Sequence, residues 1–209
     1  MLADERERMV EWQLRRRGIE DERVLAAMAR VPRELFVPEE FRGHAYDDAA
    51  LPIGADQTIS QPYMVARICA ELKLRGDERV LDVGTGSGYQ AAVLAELGRE
   101  VHSLERIPEL AARAQASLDR AGFGRRVRVH VADGTRGLPQ KAPFGGIAVA
   151  AAASNPPPAL LEQLELGARL VMPVGSPYQQ VLKVFLQTPE GPADFAVVPC
   201  RFVPLVADG

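Results

Sequence analysis

The run Val80-Leu81-Asp82-Val83-Gly84-Thr85-Gly86-Ser87-Gly88-Tyr89 leaves an apolar strand, turns on three glycines and enters a helix. Glycine lets a backbone turn sharply and lets a ligand lie against it without a Cβ in the way. Around this run the pattern alternates. Strands are predicted over 79–83, 100–104, 127–131, 146–150 and 168–174. Helices are predicted up to residue 97, over 108–121 and after the prolines at 156–158. Such alternation specifies a parallel sheet covered on both faces, the doubly wound Rossmann-like α/β class. The ending differs. Segments 181–187 and 195–202 read as strands with a Pro/Gly/Asp-rich link and no helix, so they form an antiparallel pair at one sheet edge.

Ahead of this core lies a helical extension. Residues 4–17 read as one charged helix that docks through Met9 and Trp12 and ends at Gly18. Asp21 caps a second helix carrying Val24, Leu25 and Met28. The stretch with Pro32, Pro38, Gly43, Pro52 and Gly54 lacks periodicity, but its apolar residues (among them Phe36, Val37, Tyr46 and Ile53) require it to pack. A long irregular segment inside a compact chain is usually functional. A helix resumes over 62–74. The division expected is therefore 1–75, an N-terminal helical and loop layer on the substrate side, and 76–209, the cofactor-binding sheet.

Ligands of such sheets sit at the carboxyl ends of the strands. Glu105 ends the second strand about 20 residues after the glycine run, the spacing at which an acid meets ribose hydroxyls. Gly86-x-Gly88-x-x-Ala91 also satisfies a dinucleotide template, which would set a pyrophosphate on the helix N-terminus. S-adenosyl-L-methionine has no phosphate, and its cationic amino-acid end suits an acidic strand end such as Asp82. Asp133-Gly134, just past the third strand, can accept from an adenine amine, although Asp-Gly alone is a common turn. Together Asp82, Gly84, Thr85, Gly86, Ser87, Gly88, Glu105, Asp133 and Gly134 resemble the S-adenosylmethionine-binding series of the class I methyltransferases. The closing antiparallel pair resembles that fold too, whose seventh strand is inserted antiparallel.

The run Gln57-Thr58-Ile59-Ser60-Gln61-Pro62-Tyr63, followed by Leu81 to Gln90, is similar to the protein-L-isoaspartate O-methyltransferase family. So are Arg30-Val31-Pro32-Arg33, Phe36-Val37-Pro38, Glu105 to Leu110, Pro173-Val174-Gly175 and the closing Arg201-Phe202-Val203-Pro204-Leu205-Val206. These matches are collinear over nearly the whole chain. The resemblance implies methyl transfer to the free carboxylate of L-isoaspartyl residues in damaged proteins and peptides. The ester then cyclises to a succinimide and hydrolyses partly to aspartate. It also implies S-adenosyl-L-homocysteine as product, no metal, a catalytic Ser60, and Thr58, Ile59, Gln61, Val174 and Gly175 on the substrate side. The chain departs from the family at Gly145-Gly146 (usually Asp-Ala), Ala150 (Thr), Ser154-Asn155 (Pro-Glu), Asp56 (Gly) and the less glycine-rich turn Ser176-Pro177-Tyr178. Residues 145–155 and 176–178 are expected to border the substrate cleft.

A carboxylate, with an unperturbed pKa of about 3.9, is already a nucleophile at pH 7 and needs aiming more than a base. Ser60 can aim it; it can equally cap the helix that starts at Gln61-Pro62. His44, His102 and His130 read as packing or surface groups, and Arg15-Arg16-Arg17 as a solvated helix end. Two other readings compete. Asn155-Pro156-Pro157-Pro158 is near an amino-methyltransferase signature, but Pro158 replaces its aromatic. A non-catalytic relative that senses the cofactor or a damaged peptide is the second. The net charge of −3 opposes broad nucleic-acid binding. A charged start, no apolar run of roughly 18 residues and two widely spaced cysteines, Cys69 and Cys200, fit a cytoplasmic monomer with reduced thiols.

Overall fold

A computed structural model of the chain describes residues 2–207. The predicted first helix is three local geometries in series. Helix α1 (Leu2–Arg8) passes into a wider π turn at Met9–Leu14 and a 3-10 turn at Arg15–Arg17, ended by Gly18 in the left-handed region at φ 87°. Met9 and Leu14, five apart, are both buried, and the wider turn, which bonds residues five apart, brings them toward one face. Trp12 does not dock: it stays 56% exposed with the Arg16 guanidinium 3.4 Å above its ring. Asp21 caps α2 (Glu22–Arg30), its carboxylate accepting from the Arg23 and Val24 amides.

The irregular stretch that follows is buried at Phe36, Val37, Tyr46, Leu51 and Ile53, as its apolar content requires. It ends in a hairpin not foreseen from sequence, β1 (Leu51–Gly54) with β2 (Gln57–Ile59). Its turn holds Ala55 and Asp56 at φ 52° and 56°, both left-handed without being glycine, so the usual hairpin signature is missing. Helix α3 (Pro62–Leu72) starts on proline and ends at Lys73 in the left-handed region.

The core is a seven-stranded sheet in the order β5-β4-β3-β6-β7-β8-β9, with β3 at Arg79–Val83, β4 at Glu100–Glu105, β5 at Val127–Val131, β6 at Phe144–Val149, β7 at Leu164–Gly175, β8 at Gln180–Thr188 and β9 at Gly191–Cys200. The first five are parallel, and β8 and β9 form the expected antiparallel pair. The inserted antiparallel strand is the sixth, not the seventh. A turn through Ser176–Gln179 joins β7 to β8 and is too short for a crossover, so β8 lies beside β7 and β9 takes the edge. Helix α4 (Tyr89–Leu97) is buried all round except Glu96, between the sheet and the N-terminal layer. Its alanines let α2 and α3 pack closely on it. Helix α5 (Pro108–Arg120) buries Leu110, Ala111, Ala114, Ser117 and Leu118, one stripe at helical spacing. Helix α6 (Pro158–Leu161) is a single turn.

Gly145 and Gly146 do not border the cleft. They open β6 at the far end of the sheet, where a Cβ would come within 2.6 Å of Glu78 and 2.9 Å of Leu74 respectively. Close packing accounts for both glycines. The turn at 176–178 lies on the surface, with Tyr178 99% exposed.

Candidate active site

A cavity of about 110 Å³ opens at the carboxyl ends of β3, β4 and β6. Its floor is the glycine turn. Leu104 of β4 accepts from the amides of Gly84 (2.9 Å) and Thr85 (3.1 Å), so the turn hangs on the neighbouring strand. Gly84, Gly86 and Gly88 have φ of 91°, 53° and 88°, which side chains resist. Gly134 meets a different demand. A Cβ there would lie 2.5 Å from Val83, so the loop after β5 closes on β3 only because the side chain is absent.

Glu105 is 6% exposed and faces this cavity. One carboxylate oxygen accepts from the Gly86 amide at 2.9 Å and the other from the Ile107 amide at 3.0 Å. Each oxygen keeps a further lone pair, enough for a diol. Asp82 is fully buried and does not line the cavity. It accepts from Ser103 Oγ (2.7 Å) and Gln90 Nε2 (2.8 Å). Because a carboxylate only accepts, Ser103 gives its proton to Asp82, and Thr85 Oγ1, 2.6 Å away, donates to Ser103. Burial pushes the Asp82 carboxyl up to about 6 against those two hydrogen bonds, and the Glu105 charge adds to the rise. Asp133 also stands behind the wall. Its Oδ1 takes the Thr135 amide and hydroxyl, and it caps the 3-10 turn Gly134–Arg136.

Opposite the glycine turn the wall is Gln57, Thr58, Ile59 and Ser60. Helix α3 takes Gln61 as its N-cap, with no side-chain cap bond and Pro62 beginning the helix. Ser60 therefore does not cap it, and its half-buried hydroxyl has no partner among the described residues. Gln61 turns aside to Asp48. Val174 and Gly175 lie one layer behind, bridged to Ala153 and outside the lining. Of the residues singled out from sequence, the fold gathers Thr58, Ile59, Ser60, Gly84, Thr85, Gly86, Ser87, Glu105 and Gly134 around one cavity. Gly88 sits just beneath, against Leu118.

Ala150 and Ala151, within the 145–155 stretch expected to border the cleft, and the tail Val203–Val206, to which sequence reading gave no site role, complete the wall. The Ala152 amide donates to the Val203 carbonyl (2.8 Å) and the Leu205 amide to the Ala152 carbonyl (2.7 Å). Only the resemblance of the closing run marked this tail. Tyr89 and Gln90, at the start of α4, and Ile107, which follows Glu105, also line the space. Ile59, Val65, Leu104, Ile107 and Leu205 are apolar surfaces suited to a flat ring. Among the described residues no group of three or more His, Cys, Asp and Glu side chains is placed to hold a metal ion.

The family model described as protein-L-isoaspartate(D-aspartate) O-methyltransferase matches residues 4–209. The chain is 55% identical to protein-L-isoaspartate O-methyltransferase 2 of Marinobacter nauticus, over 99% of this chain and 95% of that one. It is 52% identical to the protein-L-isoaspartate O-methyltransferase of Aeropyrum pernix, over 96% and 79%. Among solved structures it is similar to a Plasmodium falciparum chain assigned as a protein-L-isoaspartate O-methyltransferase and crystallised with S-adenosyl-L-homocysteine. There the TM-score is 0.83 and the identity 26%, over 97% of this chain and 99% of that one.

Proposed function

The chain belongs to the protein-L-isoaspartate(D-aspartate) O-methyltransferase family, and on that premise we propose that it methylates the free α-carboxylate of L-isoaspartyl residues in damaged proteins and peptides. The observation that carries the reading is one cavity lined both by the glycine turn with Glu105 and by the Gln57–Ser60 run with its unengaged hydroxyl.

The residues present fit S-adenosyl-L-methionine. Glu105 offers two acceptor oxygens to ribose hydroxyls, the apolar walls suit adenine, and Asp82, held behind the lining residue Gln90, supplies buried acidity that would favour a cationic group on that side. We assign Asp133 and Gly134 to the adenine end, Gly134 by closeness and Asp133 through the turn it caps. When bound, the cofactor supplies a sulfonium methyl group whose C–S electrons return to sulfur as the carboxylate oxygen attacks. No proton moves, so the chain needs no base. Ser60 donates to one carboxylate oxygen and aims the other, with Thr58 and Ile59 shaping the entrance. The Val203–Val206 tail and Ile107 exclude water. We read residues 1–75 as the substrate-side layer and 76–209 as the cofactor-binding part. The same reading takes the protein as a cytoplasmic monomer acting on polypeptides, not on nucleic acid or membranes, with no metal and with S-adenosyl-L-homocysteine released. A net charge of −3 supports the choice of polypeptide over nucleic acid.

The test is a radiolabelled methyl-transfer assay on paired peptides. An isoaspartyl residue carries its free carboxylate on a shorter arm than aspartate does. We expect rapid labelling of the isoaspartyl peptide and little of its aspartyl twin. Equal labelling of both, or of neither, overturns the assignment.

A further inference from the structure

Resting on the function just proposed, we infer that a second cavity, behind the glycine turn, takes an acidic stretch of the same polypeptide whose isoaspartyl residue enters the first. This cavity, about 320 Å³, lies between the 36–42 segment, the hairpin strand β1 and helix α5. Its floor is apolar, formed by Phe36, Val37, Ile53, Leu110 and Ala114. Around it stand Arg42, Arg113 and Arg120, with Glu39 the one carboxylate in the lining. Gly86 and Ser87 line both cavities, so a single turn of backbone separates them.

Several other surface arginines are paired with acids: Arg15 with Glu22, Arg17 with Asp48, Arg30 with Glu96. These three have no carboxylate partner among the described residues; Arg120 donates only to Ser117 Oγ, at 3.0 Å. Arg113 reaches across from α5 to the hairpin, its Nη1 3.2 Å from the place a Cβ on Gly54 would occupy. Three cations and one acid around one concavity, on a chain of net charge −3, form a local positive focus. Guanidinium forks match carboxylates in two-point geometry, and an apolar floor receives their methylene stems. The expected occupant has the right chemistry. Isoaspartate forms at Asn as well as Asp, and each deamidation turns a neutral amide into a carboxylate, so damaged segments gather negative charge. Three to five extended residues span roughly 10–17 Å, enough to pass from one cavity over the Gly86–Ser87 wall to the other.

The experiment compares isoaspartyl peptides of equal length that are neutral, or that carry two glutamates three to five residues to the N-terminal or the C-terminal side. For wild type, one acidic peptide should show a KM lower than the neutral peptide by on the order of fivefold, shrinking at high salt. The double variant Arg42→Gln/Arg113→Gln should abolish that advantage and leave kcat and KM for the neutral peptide unchanged. Equal KM for all peptides in wild type, or an advantage that survives in the double variant, overturns this inference alone. Failure to methylate any of the peptides overturns the function and this inference with it.

Discussion

At the scale of single residues, the site depends on which polar groups the fold has already engaged. Glu105 is held by two backbone amides, Asp82 by Ser103 and Gln90, and Thr85 by Ser103. These groups arrive oriented. Ser60 is not engaged in this way: like the more exposed Thr58, it lines the cavity with no hydrogen-bond partner for its hydroxyl among the described residues. A cap would have used its hydroxyl, but Pro62 has no amide hydrogen to satisfy and the N-cap has moved to Gln61. That separates two effects. Ser60→Ala should lower the single-turnover methyl-transfer rate by about ten- to a hundredfold, the worth of one hydrogen bond to a charged group. Cofactor affinity by calorimetry should stay within about twofold, and unfolding free energy within about 0.5 kcal/mol. Full activity in the variant would end the aiming role for this hydroxyl.

Elements bring these residues together, and one of them is the closing tail. Gln180, at the start of β8, is buried and holds the tail in both directions: its Oε1 accepts from the Phe202 amide at 2.7 Å and its Nε2 donates to the Phe202 carbonyl at 3.2 Å. Beyond this clamp, Val203 and Leu205 pair with Ala152 and wall the cavity. Gln180→Ala should loosen the tail by roughly 1–3 kcal/mol. Faster hydrogen exchange at the Phe202 and Leu205 amides should accompany cofactor binding weakened about five- to tenfold. Unchanged exchange at Leu205 would show that the Ala152 pairing alone holds the tail. This element also marks where sequence reading stops. The β3 turn and Glu105 were legible because the glycines and the acid stand at strand ends whose period is plain in the residues themselves. Strand β3 falls where its short apolar run puts it, and β5 where its alternating valines do. The tail has no period, and only tertiary pairing with Ala152 makes it a wall. The β1–β2 hairpin was hidden because Ala55-Asp56 takes left-handed geometry without glycine. Gly145-Gly146 looked like a change at the cleft, yet sheet packing against Glu78 and Leu74 uses both residues far from it.

Across the whole molecule, burial gives a carboxyl and a histidine pair opposite effects on stability. Asp82 holds its proton up to about pH 6, against an ordinary value near 3.9. Between those values the native state keeps a proton that the unfolded chain releases, so stability falls as pH rises through the window and is level above it. His102 lies on β4 of the same sheet, with Nδ1 3.0 Å from His130 Nε2. Burial depresses its pKa to about 4, with the Glu100 charge opposing and His130, Lys141 and Arg79 assisting. His130 is lowered too, first by burial and then by Lys141 and Arg128. Here the unfolded chain binds protons that the native state refuses, so stability rises with pH up to the ordinary histidine value near 6.5. Both windows overlap between about pH 4 and 6, and the two slopes offset each other. Wild type should therefore show a shallow pH dependence there by urea unfolding. Asp82→Asn should steepen the rise of stability with pH, by up to about 3 kcal/mol across the window. The fold can accommodate it, since Gln90 Oε1 has no hydrogen-bond partner among the described residues and a rotation of its amide offers the new Asn an acceptor. His102→Gln should do the reverse, leaving a curve that falls toward pH 6. If the Asp82→Asn curve ran parallel to wild type, the carboxyl would be ionised throughout the window and the buried proton would not exist.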